Sequence, residues 1–233
     1  MKKNIFFAMM LALVSFVLTS CGDKESEGLS RFTYYPVLEV QGENTMVVGK
    51  GTTFQDPGYS ATLNDEDVTS QVVVSSNVNT FKSGVYTVTY SIVNSDGITA
   101  NAKRKVIVLD LNNPVEGFYL TEPTSYRLYK GNNVAYGNSF EILIIDNGNG
   151  TLSVDDLLGG WYCQRAGYGT NYAMGGTISL AEDGTVGLVN SYIPGWSDGL
   201  EDFSGSFDAA NKQFTVMAEY VSGMQFYQTW NKE

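Results

Sequence analysis

The 233-residue chain has no histidine and only two cysteines. The missing imidazole removes Ser-His-Asp and Cys-His hydrolases, His-ligated zinc and iron sites, and the usual general base near neutral pH. Cys21 and Cys163 are too few for a thiolate metal cluster or a disulfide framework. Cys163 sits between Tyr162 and Gln164 in an aromatic stretch, which marks a buried structural thiol, since a nucleophile there lacks its base. Basic side chains are scarce, 14 against 25 acidic, for a net charge of −11. Such a surface repels nucleic acid and anionic membranes, so neither is an expected partner of the folded part. The acidity is spread through loops rather than collected in a tail and acts mainly on solubility. No stretch after residue 21 is long and apolar enough to span a bilayer.

One apolar run does exist, from Ile5 to Leu18, preceded by Lys2 and Lys3 and followed by Thr19-Ser20-Cys21. A basic n-region, a hydrophobic h-region and a small-residue cleavage site make residues 1–20 an export signal. A transmembrane helix is the alternative, but the run is short against the roughly 20 residues a span needs. Leu18-Thr19-Ser20-Cys21 resembles the lipobox of bacterial lipoproteins. The resemblance implies that Cys21 becomes the first residue of the mature chain and carries a stable lipid anchor, the one contact with a membrane. Without Lys2 and Lys3, 12 basic side chains face 25 acidic ones, a charge of −13. Residues 21–35 open on Gly22-Asp23-Lys24-Glu25-Ser26-Glu27-Gly28, a polar, charged tether. Acidic tethers here resemble surface-export signals of Bacteroidetes lipoproteins, which implies the outer leaflet of the outer membrane; a solvated linker is the plain alternative.

The rest reads as all-β, in two domains. A strand pattern ends at Asp110-Leu111-Asn112-Asn113-Pro114, in turn formers and proline. The two sides differ in composition: eight aromatics lie between Phe32 and Tyr90, nineteen between residues 114 and 233. In residues 36–110, Val85 to Val93 alternates apolar and polar with period two, and Lys105–Leu109 and Gln71–Ser75 behave alike. Asn94-Ser95-Asp96-Gly97 reads as a hairpin turn. Short strands with regular turns in about 75 residues predict a small β-sandwich. Asp56-Pro57-Gly58-Tyr59, Asp67-Val68-Thr69, Gly84 to Tyr90, Asp96-Gly97 and Arg104 before Val106 and Val108 resemble the bacterial immunoglobulin-like domain of surface lipoproteins, adhesins and an insecticidal crystal protein. The usual Val-Asp-Thr is here Val78-Asn79-Thr80, a mild departure. The resemblance implies a fold and a spacer role, not an activity.

Residues 111–233 read as successive hairpins. Ser139–Ile145 leads into Asp146-Asn147-Gly148-Asn149-Gly150; Thr177–Leu180 and Thr185–Val189 flank Glu182-Asp183-Gly184; Phe203–Phe207 and Gln213–Tyr220 flank Asp208–Asn211; Met224–Trp230 closes. This predicts an antiparallel meander, rolled into a barrel or folded as a second sandwich. One short helical turn is expected at Val154–Leu158. The order resembles C-terminal domains that follow this Ig-like module in Bacteroidetes lipoproteins.

Motifs for chemistry are weak. Asp146 to Gly150 is oxygen-rich, but Gly148 stands where a calcium loop needs its third-position ligand, so a hairpin turn is the better reading and no metal or other cofactor is expected. Asp155-Asp156 and Glu201-Asp202 are adjacent carboxylates, yet neighbours on a strand point to opposite faces and cannot flank one glycosidic bond. No catalytic residue is assigned. A glycoside hydrolase without histidine stays a minor alternative, with any acid pair assembled from separate loops.

Two patches place aromatics among glycines and amides: Gly159 to Tyr172, and Tyr192-Ile193-Pro194-Gly195-Trp196-Ser197-Asp198. That is sugar-binding chemistry, in which rings stack on C–H faces while amides and charges hydrogen-bond hydroxyls. The competing reading makes Trp161 and Tyr162 core residues at a strand start. On the first reading Trp161, Tyr162, Tyr168, Tyr172, Trp196 and Trp230 stack, and Arg165, Asn171 and Asp198 hydrogen-bond. The expectation is non-catalytic capture of an oligo- or polysaccharide by the C-terminal domain, with the Ig-like domain as spacer. Resemblance to Bacteroidetes lipoproteins that capture glycans beside an importer supports it. The alternative is a structural or docking role, the same loops contacting an outer-membrane importer or a neighbouring lipoprotein.

Overall fold

The structure is a computed structural model that describes residues 32–233, so the export signal, Cys21 and the first part of the tether lie outside the described residues. Among the described residues no helix is long and apolar enough to cross a membrane.

The N-terminal domain holds β1 (Val37–Val40), β2 (Thr45–Gly49), β3 (Tyr59–Leu63), β4 (Glu66–Asp67), β5 (Val73–Ser76), β6 (Gly84–Val93) and β7 (Thr99–Leu109). A three-stranded sheet, β1-β3-β4, faces a four-stranded sheet, β2-β7-β6-β5, in which β2 runs parallel to β7. Alternation along β6 and β7 turns Val88, Tyr90, Val106 and Val108 into the space between the sheets, where Val48, Leu38 and Tyr59 meet them. The expected strand over 71–75 begins two residues later, because Thr69–Gln71 forms a 3-10 turn.

Three of the family-like motif residues, Asp56, Gly58 and Tyr90, form one network around the fully buried guanidinium of a fourth, Arg104. Arg104 donates to the carbonyls of Glu43, Gln41 (2.6 Å) and Gly58 (3.2 Å) and to the Tyr90 hydroxyl (3.3 Å). Its Nη2 lies 3.3 Å from Asp56, which also accepts from the Tyr90 hydroxyl and from the Gly58 N–H at 2.9 Å. Arg104 therefore ties two loops and a core tyrosine together, and its work is structural.

The C-terminal domain holds β8 (Gly117–Thr121), β9 (Tyr126–Tyr129), β10 (Asn132–Ala135), β11 (Glu141–Asp146), β12 (Thr151–Val154), β13 (Gly175–Leu180), β14 (Thr185–Tyr192), β15 (Asp202–Asp208), β16 (Gln213–Tyr220) and β17 (Met224–Lys232). Successive strands from β11 to β17 pair antiparallel, β11 also pairs with β8, and β17 returns to β8 with Trp230 opposite Thr121. The meander is thus a closed eight-stranded barrel, with the β9–β10 hairpin added along the first part of β17. Eight strands leave an interior that side chains can fill. Tyr119, Phe203, Phe214, Phe226 and Trp230, all nearly inaccessible, fill it with Ile142, Ile144 and Leu152. Asp146–Gly150 is a hairpin turn, with Gly148 and Gly150 at positive φ and the Gly148 N–H donating to Asp146.

The expected helical turn at 154–158 is displaced. Val154 ends β12, and the helical turn is instead Trp161–Arg165, of π type, started by the left-handed Gly160. Period-based reading misses it because one five-residue turn shows no repeat.

The domains meet through β7. Val106 and Val108 point into the sandwich, so Ile107 and Leu109 point out, against Leu143, Ile145 and Phe118 on the barrel wall. Glu116, buried in the connection, accepts from the backbone N–H of Asp110 (2.7 Å) and Asp146 (3.3 Å). This joint lies beside the barrel end that has short turns. The opposite mouth carries the long excursions, 122–140, 155–174 and 193–201.

Arg104→Ala removes a buried charge and strands three carbonyls and the Asp56 carboxylate. It is expected to cost about 3–5 kcal/mol in denaturant unfolding of the N-terminal domain. A change below ~1 kcal/mol would show that the network is not what holds the two loops.

Candidate functional site

The excursion between β12 and β13 is organised by one carboxylate. Asp156, 1% exposed, accepts the N–H groups of Leu158 (3.0 Å), Met174 (3.1 Å) and Gly160 (3.0 Å) and the Cys163 thiol (3.0 Å). Burial raises its carboxyl above the ordinary range, and the four donors oppose that rise. Both ends of the excursion, at 158–160 and at 174, are thereby pinned to one side chain. Gly159 and Gly160 follow with φ of 59° and 82°. A Cβ on Gly159 would stand 2.2 Å from Gln228, and one on Gly160 2.5 Å from Phe140, so both positions exclude a side chain.

This turn delivers Trp161–Arg165. Trp161 is buried, with Tyr136 and Phe226 edge-on and the guanidiniums of Arg127 and Arg165 at 4.9 and 4.2 Å from its ring. The expectation that Trp161 stacks on a ligand is therefore corrected: it is the core of the mouth. Trp230 is likewise fully buried among Phe203 and Phe214, with its indole N–H donating to Gln228, and is removed from the surface set. Arg165 clamps Trp161 and donates from Nε to the Tyr136 carbonyl (3.0 Å) while remaining exposed, outside the three rings that line the depression. The two tryptophan misplacements share one cause: closing a barrel needs large interior aromatics, and sequence cannot tell them from surface ones.

Tyr162, Tyr168, Tyr172 and Trp196 do come together. Trp196 lies in the turn between β14 and β15, where β14 has parted from β15 beyond Gly187. The Gly195 N–H donates to the Asn171 carbonyl at 2.7 Å, joining the two excursions. A Cβ on Gly195 would meet the Tyr172 ring at 2.5 Å, so the ring lies directly on the backbone. Trp196 has Tyr162 edge-on at 4.7 Å, Tyr172 at 4.9 Å and Tyr220 stacked beneath at 6.3 Å. Tyr168, Tyr172 and Trp196 line an open depression of about 380 Å³, with Tyr168 55% and Trp196 42% exposed. Tyr162 is half-buried behind them, its hydroxyl 3.3 Å from the Met224 sulfur. Asn171 and Asp198 are exposed beside the lining residues in the chain, and Asp198 Oδ1 accepts the Gly199 N–H at 2.8 Å.

Tyr220, Arg127 and Met224 support this mouth from distant strands. Only the alternation of β16 and β17, which sends Tyr220 and Met224 inward, hints at them. Burial, then the Asp198 charge, pushes the Tyr220 phenol up to about 12. Burial and the neighbouring Asp156 push the Cys163 thiol up as well, which makes it an inert donor. Asp155 turns away to accept the Leu143 N–H (2.8 Å), so Asp155 and Asp156 do not face a common substrate. Among the described residues no group of three or more Cys, Asp or Glu side chains is arranged to hold a metal ion.

The family model of the bacterial surface protein Ig-like domain matches residues 38–108, and a C-terminal-domain model matches residues 108–232. The crystal structure of the lipoprotein BT2262 from Bacteroides thetaiotaomicron superposes with a TM-score of 0.69 at 33% identity, over 85% of this chain and 100% of that one. The chain belongs to the BT2262 lipoprotein family. Within it, the Ig-like module and the barrel are the two halves of a surface lipoprotein of the cell envelope. Two weaker similarities are to Clostridium perfringens ZmpB. One is to its M60 catalytic domain with CBM51 domains (TM-score 0.28, 19% identity, 52% of this chain, 15% of that one). The other is to its CBM51-2 in complex with GlcNAc, with INT domains (TM-score 0.27, 21% identity, 50% and 30%). Neither superposition establishes a shared fold. No curated protein matches the chain.

Cys163 is expected to resist iodoacetamide at pH 8 in the native protein and to react readily once unfolded, as mass spectrometry of the alkylated chain would record. Asp156→Ala is expected to release that thiol while costing about 3 kcal/mol or more, because three buried N–H groups lose their acceptor.

Proposed function

We propose that this lipoprotein is a non-catalytic glycan-capture protein of the cell surface, with the depression at the distal barrel mouth as its binding site. The single observation that carries the reading is the exposure of Tyr168 and Trp196 around an open depression built on rigid neighbours. Large rings on a fully packed barrel would be expected to turn inward unless their faces serve a contact. Here Asp156, Gly159, Gly160 and Gly195 hold them outward. Ring faces suit the C–H faces of sugars, and Asn171 and Asp198 supply polar groups at the edge. The Ig-like domain, joined at the other end of the barrel, holds this mouth away from its anchor at Cys21. Capture of sugar without turnover accords with the separate engagement of Asp155 and Asp156.

A glycan screen read by tryptophan emission tests this, because Trp161 and Trp230 are buried and Trp196 is the responsive indole. A saturable change with a neutral oligosaccharide is expected, weakened about tenfold or more by Trp196→Ala. Gly195→Ala is expected to displace Tyr172 and weaken the same ligand while the barrel still folds. Silence toward the panel, with a Trp196-dependent protein partner recovered from the envelope, would replace glycan capture by docking to an importer or neighbouring lipoprotein. Release of product from any polysaccharide by the purified protein would overturn the non-catalytic reading.

A further inference from the structure

The exposed rings do not form a platform. Tyr168 and Tyr172 are inclined at 72°, Tyr172 and Trp196 at 64°, and Tyr168 and Trp196 at 90°, with centroids 5.4, 4.9 and 6.3 Å apart. A flat, extended polysaccharide stacks on several rings only if those rings share a plane. In this cluster a sugar lying flat on one ring meets the next ring nearly edge-on, so the three make the walls of a corner. The depression they line, about 380 Å³, lies near the lower end of the roughly 300–1,000 Å³ usual for small-ligand sites. Such a corner accepts a projecting end, and among the described residues no fourth ring lines the depression.

The charge in the same loop as Trp196 is negative. Asp198, two residues after Trp196, is exposed; one of its oxygens accepts the Gly199 N–H, and its charge is felt by the Tyr220 phenol beneath Trp196. The guanidiniums of Arg127 and Arg165 both pack on Trp161, Arg127 also bears on the Tyr162 phenol, Arg165 is further tied to the Tyr136 carbonyl, and like Asp198 both stand outside the three rings that line the depression. With a chain charge of −11 around it and both guanidiniums engaged on Trp161, a carboxylate or sulfate on the ligand meets repulsion from Asp198.

We infer that the corner formed by Tyr168, Tyr172 and Trp196 captures the non-acidic end or branch of a glycan, about two sugar units at most, with Asp198 excluding acidic sugars. This rests on the glycan-capture reading and narrows it to a ligand class.

The test is calorimetric titration of the full-length lipoprotein in detergent. The probes are malto-, cello-, manno- and N-acetylchito-oligosaccharides of increasing length, with oligogalacturonates as the acidic series. In whichever neutral series binds, affinity is expected to rise from the monomer to the dimer and then stay within about twofold, while an oligogalacturonate of equal length binds at least about tenfold more weakly. Asp198→Asn, which keeps the oxygen that accepts the Gly199 N–H, is expected to narrow that gap with the melting temperature unchanged. Affinity that climbs steadily with chain length overturns end capture. Acidic sugars that bind as well as neutral ones, or a gap indifferent to Asp198→Asn, overturn the charge selection. In those cases glycan capture itself stands; silence from every series removes both readings together.

Discussion

The barrel mouth depends on one buried carboxylate. Asp156 gathers three backbone N–H groups and a thiol from residues 158 to 174, so a long excursion leaves the barrel and returns to it around a single side chain. A connection of this length is free to wander unless its backbone groups find partners. With its ends closed on Asp156, the left-handed Gly159 and Gly160 aim the π turn, which sinks Trp161 into the mouth and leaves Tyr162 facing Trp196. Tyr168 and Tyr172 follow on the way back. The ring cluster is therefore the far end of a chain of constraints that begins in the core, which is how exposed aromatics are kept from collapsing inward.

The two domains divide the work by the same rule. In the Ig-like module the buried charge is Arg104, which holds two loops together. In the barrel the buried charge supports a face that is open. Strand β7 connects the two, because its alternation serves the sandwich on one side and the barrel wall on the other. A module that shares a strand face and the Glu116 bonds with the barrel fixes the barrel's orientation relative to itself. For a surface lipoprotein this keeps the distal mouth pointed away from the joint.

Much of this was legible in the residues. Period-two alternation located β6 and the end of β7, and turn formers located the hairpins at 146–150, 182–184 and 208–211 with the strands beside them, because strand pleat and positive φ are local properties. The short strands β8, β9 and β10 escaped notice, as did the π turn, since four or five residues carry too little pattern. Among the aromatic candidates, Tyr162, Tyr168, Tyr172 and Trp196 converge while Trp161 and Trp230 are interior. The glycine-rich context of Trp161 resembles that of Tyr168, yet the first ring is the floor of the mouth and the second its rim.

By itself, the sequence determined the all-β class, the break near residue 110, the lack of imidazole and thiolate chemistry, and the kinds of side chain available for contact. Those follow from composition and from periods that span a few residues. Only the tertiary structure decided that the meander closes, that β17 meets β8, and which rings face solvent. Those outcomes depend on pairings between residues far apart in the chain, Trp230 with Thr121 and Gln228 with Leu157 among them. Whether an aromatic ring is packing or surface is set by what the closed barrel places beside it.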